Sequence, residues 1–245
     1  MSAPSSPARK GERSRRTTAR RAARPRRSAT RVAKSVPDHR RMHESCWSRE
    51  DAIAWLDSPE RRASQDPVRL WRRVGLKAGD IVVDVGAGTG FYSFPAAAQV
   101  GPGGRVYAVD VSKELVDLVR ERAAARHMPN VTSVLSTRSR IPIEDAVADV
   151  TILANVLHGI PPRTVDEAIR LLRPGGRLVN VDWKKEPSPE GPPVRHRLSP
   201  NEASSALSAR GLKPLDSFDL GPHHYVLVFE RPRLAHHPGH LLSDE

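Results

Sequence analysis

The sequence predicts an α/β fold: a doubly wound, seven-stranded, mostly parallel sheet with an antiparallel hairpin at its C-terminal edge. Three observations predict it. From residue 81 onward, short runs of β-branched residues alternate five times with segments of helical character, the pattern of a parallel sheet covered by helices on both faces. A glycine-rich stretch, Gly86-Ala87-Gly88-Thr89-Gly90, follows the first of these runs, where an open parallel sheet holds its ligand. The last two runs, 212–220 and 223–231, are joined by Gly221-Pro222 with no helix between them, so they pair antiparallel.

The elements follow in order. Residues 48–60 read as a helix with Ser48 as N-cap and Ile53, Ala54 and Leu56 on its apolar side. Asp66-Pro67 opens a second helix, a cap followed by proline at the first helical position, and Gly75 ends it. Both helices are expected over the C-terminal edge of the first strand. "IVVDVG", residues 81–86, is a fully buried strand by its β-branched content. A helix runs from about Phe91 to Val100, and "RVYAVD" (105–110) is the second strand. The helix at 112–126 is capped by Ser112 and lines up Leu115, Val116, Val119 and Ala123. Strands at 130–136 and 149–155 come next. A helix at 163–172 ends before Pro174-Gly175-Gly176, and "RLVNVDW" (177–183) is the fifth strand. The last helix, 199–211, has Ser199 as cap, Pro200 in its first turn and Gly211 as its stop.

The chain has 245 residues, 38% of them hydrophobic, enough for one globular domain with additional chain. Its formal charge of +12 is unevenly placed. Residues 1–36 hold 12 of the 40 Lys and Arg and one of the 28 acids, leaving 28 bases against 27 acids in the rest. The body is near neutral. Residues 1–41 form an Arg-, Ala-, Ser- and Pro-rich segment that cannot bury enough apolar surface to order itself, so a disordered tail is expected there. Residues 42–232 are the globular domain, with lid helices in 42–75, and residues 233–245 are a flexible C-terminal tail. The basic tail is open to three readings: a solvated extension, a non-specific nucleic-acid contact, or an organellar transit peptide. Translation starting at Met42 would yield the body without it.

The single cysteine, Cys46, excludes an intramolecular disulfide and suits a reducing compartment, so a cytoplasmic location is expected. No apolar run reaches the length of a membrane span. His39, His43 and Cys46 are spaced H-x3-H-x2-C without a second cluster, and His236, His237 and His240 lie in the C-terminal tail, so no metal site is expected. Nothing in the sequence specifies an oligomeric state.

The glycine spacing discriminates between ligands. The dinucleotide fingerprint is G-x-G-x-x-G, whereas this loop is G-x-G-x-G, and no G-x-x-x-x-G-K-S/T phosphate loop exists in the chain. Asp110 ends the second strand, 20 residues after Gly90, where an acid can accept hydrogen bonds from a ribose diol. The ligand therefore carries a ribose and needs no pyrophosphate.

"VVDVGAGTG" followed by "VYAVDVS" resembles the class I S-adenosylmethionine-dependent methyltransferases, in particular the small-molecule, type 11 group. "DVTILANVLHGI", "LLRPGGRLVNVDW" and "GPPVRHRLSPNEASSALSARGLKP" resemble that family's fourth strand, the turn before its fifth strand and the segment before its last helix, so the resemblance spans roughly residues 43–232. It implies a Rossmann-like sheet and S-adenosyl-L-methionine as cofactor. It further implies that Asp84 faces the methionine amino group, that Gly86, Ala87, Gly88 and Gly90 line the methionine and ribose, and that Asp110 with Val111 holds the ribose side. Relatives place an Asp near the end of the loop after the third strand for the adenine amino group. The corresponding stretch here is "STRSRIP", which leaves Thr137 or Ser136 for that role.

Methyl transfer from a sulfonium is an in-line displacement in which the enzyme mostly supplies orientation, and a general base is needed only if the nucleophile must lose a proton. His158 and Asn155, at the end of the fourth strand, are the candidate catalytic residues on the acceptor side, with Asn155 also a candidate cofactor contact. Asp182 and Trp183 end the fifth strand and line the same side, and His43, Trp47 and Trp55 are candidate lid residues. The expected acceptor is a small molecule. Two alternatives stay open: a nucleic-acid methyltransferase using the basic tail, and a non-catalytic protein that binds S-adenosylmethionine.

Overall fold

The computed structural model describes residues 49–233. The basic tail 1–41, the flexible tail expected at 233–245 apart from Arg233, the lid candidates His43 and Trp47, the cap Ser48, and the histidines and cysteine at 39, 43, 46, 236, 237 and 240 lie outside the described residues.

Three short helices lead the chain: α1 (Arg49–Leu56), α2 (Pro59–Ser64) and α3 (Pro67–Arg73). The sequence predicts one helix over 48–60, and the structure divides it at Ser58-Pro59. Pro59 has no N–H to continue a helix and disfavours helical backbone at the residue before it. Ser58 accordingly turns extended (φ −62°, ψ 147°) and its hydroxyl accepts from the Arg61 N–H, which starts α2. Asp66 caps α3 as expected, accepting from the N–H groups of Val68 and Arg69 at 3.0 and 3.1 Å.

The sheet then assembles from β1 (Ile81–Val85), β2 (Arg105–Asp110), β3 (Val131–Leu135), β4 (Ala148–Ala154), β5 (Leu172–Trp183), β6 (Lys213–Leu220) and β7 (His224–Glu230). Its order is β3-β2-β1-β4-β5-β7-β6. The first five strands pair parallel, and β7 and β6 pair antiparallel at the edge. This is the mostly parallel, Rossmann-like arrangement that the alternating pattern predicts. The helices α4 (Ser93–Val100), α5 (Lys113–Ala125), α6 (Pro162–Leu171) and α7 (Pro200–Ser208) connect the strands. Successive strand residues face opposite sides. Val82, Val106, Val150 and Val179 enter one core with Leu70, Trp71 and Phe94, while Val83, Val85, Val109 and Leu178 enter the other with Leu171 and Leu207.

Two boundaries differ from the expectation. The helix after the glycine stretch begins at Ser93 rather than Phe91, because Gly90 N–H bonds Ala87 O in a preceding turn. The fifth strand begins at Leu172, five residues early. Its Pro174-Gly175-Gly176 stretch forms a bulge, held by Gly175 N–H to Arg231 O (2.7 Å) and Arg231 N–H to Gly176 O (2.8 Å). Among the described residues no helix is long and apolar enough to cross a membrane.

Candidate cofactor and acceptor site

The switch point lies between β1 and β4, where the strand order turns from β2 to β4 on either side of β1. The loop leaving β1 is therefore the place where a ligand meets the carboxyl ends of the strands. Gly86, Gly88 and Gly90 all have positive φ (79°, 57° and 83°), which glycine adopts without strain. Space matters as much as dihedral. A Cβ on Gly86 would stand 2.8 Å from Val156 Cγ1, and one on Gly90 would stand 2.5 Å from Phe94 Cε2. The loop is tied to β2 by Gly86 and Ala87 N–H groups that both donate to Val109 O, at 2.8 and 2.9 Å.

Asp110 reaches across from the end of β2. One of its carboxylate oxygens accepts from Gly88 N–H at 2.9 Å and the other from Ser112 N–H at 3.0 Å. Each oxygen keeps a lone pair for a further donor. Beside it, Val111 is 52% exposed and Leu135, paired with Asp110 at the end of β3, is 48% exposed. The Thr137 hydroxyl accepts from the N–H groups of Ser139 and Arg140 and caps its own turn. Ser136 N–H donates to Asp110 O, which holds the loop after β3 beside the acid.

Asp84, in β1, is buried, and its carboxylate accepts a 2.6 Å hydrogen bond from the Ser93 hydroxyl at the start of α4. Burial pushes its pKa up to about 6. The Ser93 bond opposes that shift, Asp110 adds to it, and the Arg61 charge opposes it. Asn155, the residue after β4, adopts a left-handed backbone (φ 58°), a conformation asparagine tolerates. Its N–H donates to Val181 O, and its side-chain amide donates to Gln65 Oε1 at 2.8 Å. The same Gln65 oxygen accepts from the Tyr92 hydroxyl at 3.0 Å.

On the acceptor side, His158 and Asp182 meet. The His158 Nδ1–H donates to the Asp182 carboxylate at 2.9 and 3.2 Å, with both side chains buried. A carboxylate only accepts, so Nδ1 carries a proton, and in the neutral tautomer the lone pair is on Nε2. Trp183 stacks against His224 of β7, ring centroids 4.0 Å apart. His224 is fully buried, and burial together with the positive charge of Arg61 pushes its ring down to about 3, so it stays neutral.

The leading helices close over this region. Asp57, between α1 and α2, accepts from the Thr89 hydroxyl of the glycine loop (2.7 Å) and from Arg122 of α5 (2.7 Å). Trp55 Nε1 donates to Glu190 at 3.4 Å. Arg61 lies over Phe91, its guanidinium carbon 4.1 Å from the ring centroid.

Asp57, Arg61, Gln65, Ser93 and His224 are the residues that sequence reasoning missed here. Only His224 left a signal, as the one polar residue lying among the buried apolar positions of the last strand. The others sit in helices whose local pattern shows no special composition. Among the described residues no group of three or more His, Cys, Asp or Glu is placed to hold a metal ion.

A family model described as a methyltransferase domain matches residues 83–180. A solved structure of a SAM dependent methyltransferase from Aquifex aeolicus is 30% identical with a TM-score of 0.71, and the match covers 76% of this chain and 100% of that one. Arsenite methyltransferase of Halobacterium salinarum is 38% identical over 109 residues, 44% of this chain and 28% of that protein. Demethylmenaquinone methyltransferase of Symbiobacterium thermophilum is 33% identical over 113 residues, 45% of either protein. The chain spans less than half the length of these two curated relatives.

The residues present suit an adenosyl ligand: the loop is a cradle that a Cβ would fill at Gly86 and Gly90, and the Asp110 carboxylate retains accepting capacity beside it. The chain belongs to the class I S-adenosylmethionine-dependent methyltransferases of type 11, and S-adenosyl-L-methionine is its cofactor.

Proposed function

We propose that this chain methylates a small-molecule acceptor whose reacting atom gives up a proton, with His158 as the base and Asp182 as its positioning residue. The observation that carries this reading is the 2.9 Å hydrogen bond from His158 Nδ1 to Asp182 at the ends of β4 and β5. It holds the ring in one orientation and, in the neutral ring, fixes the tautomer whose lone pair is on Nε2. Both curated relatives described above are named for small-molecule acceptors, and the near-neutral net charge of the body argues against nucleic acid as the acceptor.

S-adenosyl-L-methionine, when bound, supplies an electrophilic sulfonium methyl for in-line transfer. The chain's part is orientation and proton handling. Gly86, Ala87, Gly88 and Gly90 let the backbone approach the ligand, Asp110 accepts from the ribose hydroxyls, and Val111 packs on the adenine side. Asp84 faces the ammonium of the methionine end. Asn155, locked by Val181 and Gln65, separates that end from the acceptor side. The α1–α2 segment, anchored through Asp57, excludes water from the transfer.

Radiolabelled S-adenosyl-L-methionine and a panel of phenols, hydroquinones, thiols and arsenite test the reading. With an accepted compound, His158→Ala should lower kcat by about 100-fold or more while KM for the cofactor changes little. Asp182→Asn should lower kcat and shift the acidic limb of the pH profile. Full activity of both variants, or label transfer to RNA in place of every small molecule, overturns it.

A further inference from the structure

Arg61 is a buried cation that no carboxylate meets in an ion pair among the described residues. It stands on α2 and is 7% exposed. Nη1 donates to Leu56 O at 2.8 Å, and the guanidinium carbon lies over Phe91 at 4.1 Å from the ring centroid, with Trp55 and Tyr92 rings 5.7 and 6.0 Å away. Among the described residues no carboxylate forms an ion pair with it, and its buried Nε–H has no hydrogen-bond partner. A guanidinium stripped of water costs several kcal/mol unless an anion meets it, and its planar fork suits a carboxylate with two parallel N–H bonds. Three aromatic neighbours fix the plane in advance, so little side-chain freedom remains to be lost on binding.

The sign of the neighbourhood narrows the ligand. Asp84, of opposite charge, is close enough for the two groups to act on each other's ionisation. Both charges lie at the loop that follows β1. A cation and an anion at one end of a ligand cradle complement a zwitterion. S-adenosyl-L-methionine has one anionic group, the carboxylate, and it shares a carbon with the ammonium; its sulfonium is a second cation. A group that repels both cations and attracts the carboxylate sets which way round the amino-acid end sits.

The geometry points to Arg61 as the group that binds the carboxylate of the cofactor's methionine end, opposite Asp84 on the ammonium. This rests on S-adenosyl-L-methionine being the cofactor. Because Arg61 stands on α2, carboxylate binding also adds to the contacts that hold the α1–α2 segment on the glycine loop.

Calorimetry on the full chain tests the assignment, comparing S-adenosyl-L-homocysteine with 5′-methylthioadenosine, which lacks the amino-acid end, and with decarboxylated S-adenosylmethionine, which lacks only the carboxylate. Arg61→Gln should weaken S-adenosyl-L-homocysteine by about 10- to 100-fold and leave the other two within about twofold. Arg61→Lys, which keeps stem and charge, should show a smaller loss confined to the same ligand, and it carries the test if the Gln variant does not fold. Unchanged affinity for S-adenosyl-L-homocysteine, or equal weakening of all three ligands at unchanged Tm, overturns the assignment. Failure of the wild-type chain to bind any of the three overturns the cofactor reading beneath it.

Discussion

The Gly88 N–H and the Asp110 carboxylate are joined by a 2.9 Å hydrogen bond across 22 residues of chain. The acid that ends β2 thus sets the shape of the loop that ends β1. One residue serves two purposes: it holds the cradle and presents its remaining lone pairs to a ligand. Asp110→Asn keeps the size and loses the charge. It should weaken S-adenosyl-L-homocysteine by about 10- to 100-fold, the range for one or two charge-assisted hydrogen bonds. Adenine alone should bind nearly as before, because it carries no ribose. Calorimetry with both ligands checks this, and equal losses for the two would show that the loop has collapsed instead.

The proposed contact of Asp84 with the cofactor's ammonium makes a pH-dependent affinity the expected outcome. The Asp84 pKa is raised from the ordinary 3.8 to about 6, chiefly by burial. For a group raised in this way the neutral form favours the fold. Its contribution to stability is present below about 3.8 and is lost as the pH rises through about 6. Binding of an ammonium runs the other way, since only the ionised carboxylate attracts it. Affinity for S-adenosyl-L-homocysteine should therefore rise between pH 5 and 7 and then level off. Asp84→Asn should flatten that rise while raising Tm slightly at neutral pH, both read by calorimetry across a pH series.

Glu167 and Arg170 of α6 clamp the loop between β3 and β4. Arg170 donates to Glu167, to Ile141 O and Ile143 O, and pairs with Asp145, while Glu167 accepts from Ile141 N–H at 2.8 Å. The Arg170 bonds pull the Glu167 carboxyl down to about 2. Its contribution is thus present above the ordinary 4.5 and is lost as the pH falls towards about 2. Arg170→Ala leaves a largely buried carboxylate and two carbonyls without their cation and should cost about 2–4 kcal/mol. Glu167→Gln should cost less and should flatten acid unfolding between pH 4.5 and 2. Denaturant melts at several pH values check both.

The strands were legible because each is a short, continuous apolar run bounded by turn residues, and the loop chemistry because Gly86, Gly88, Gly90 and Asp110 stand at fixed offsets from two of them. Thr137 shows where such reading stops. Its position in the loop after β3 suggests a ligand contact, and only the structure shows that its hydroxyl also accepts from the Ser139 and Arg140 N–H groups. The helix over 48–60 failed on one proline: the apolar spacing continues through Pro59, while the backbone cannot.

By itself, the sequence determined the order of the strands and helices, the cradle after β1 and the acid after β2, all of which are encoded in periods of two and 3.6 residues and in local turn geometry. Only the tertiary structure decided which side chains meet around the end of the sheet where the loops after β1 and β4 emerge. His158 meets Asp182 because β4 and β5 are neighbours in register, with Ala154 opposite Val181. Gln65 meets Asn155 across 90 residues, and Arg61 meets Phe91 because the leading helices fold back over the loop. Such pairs join elements that the crossovers carry around the sheet, so no local pattern in either partner specifies the other.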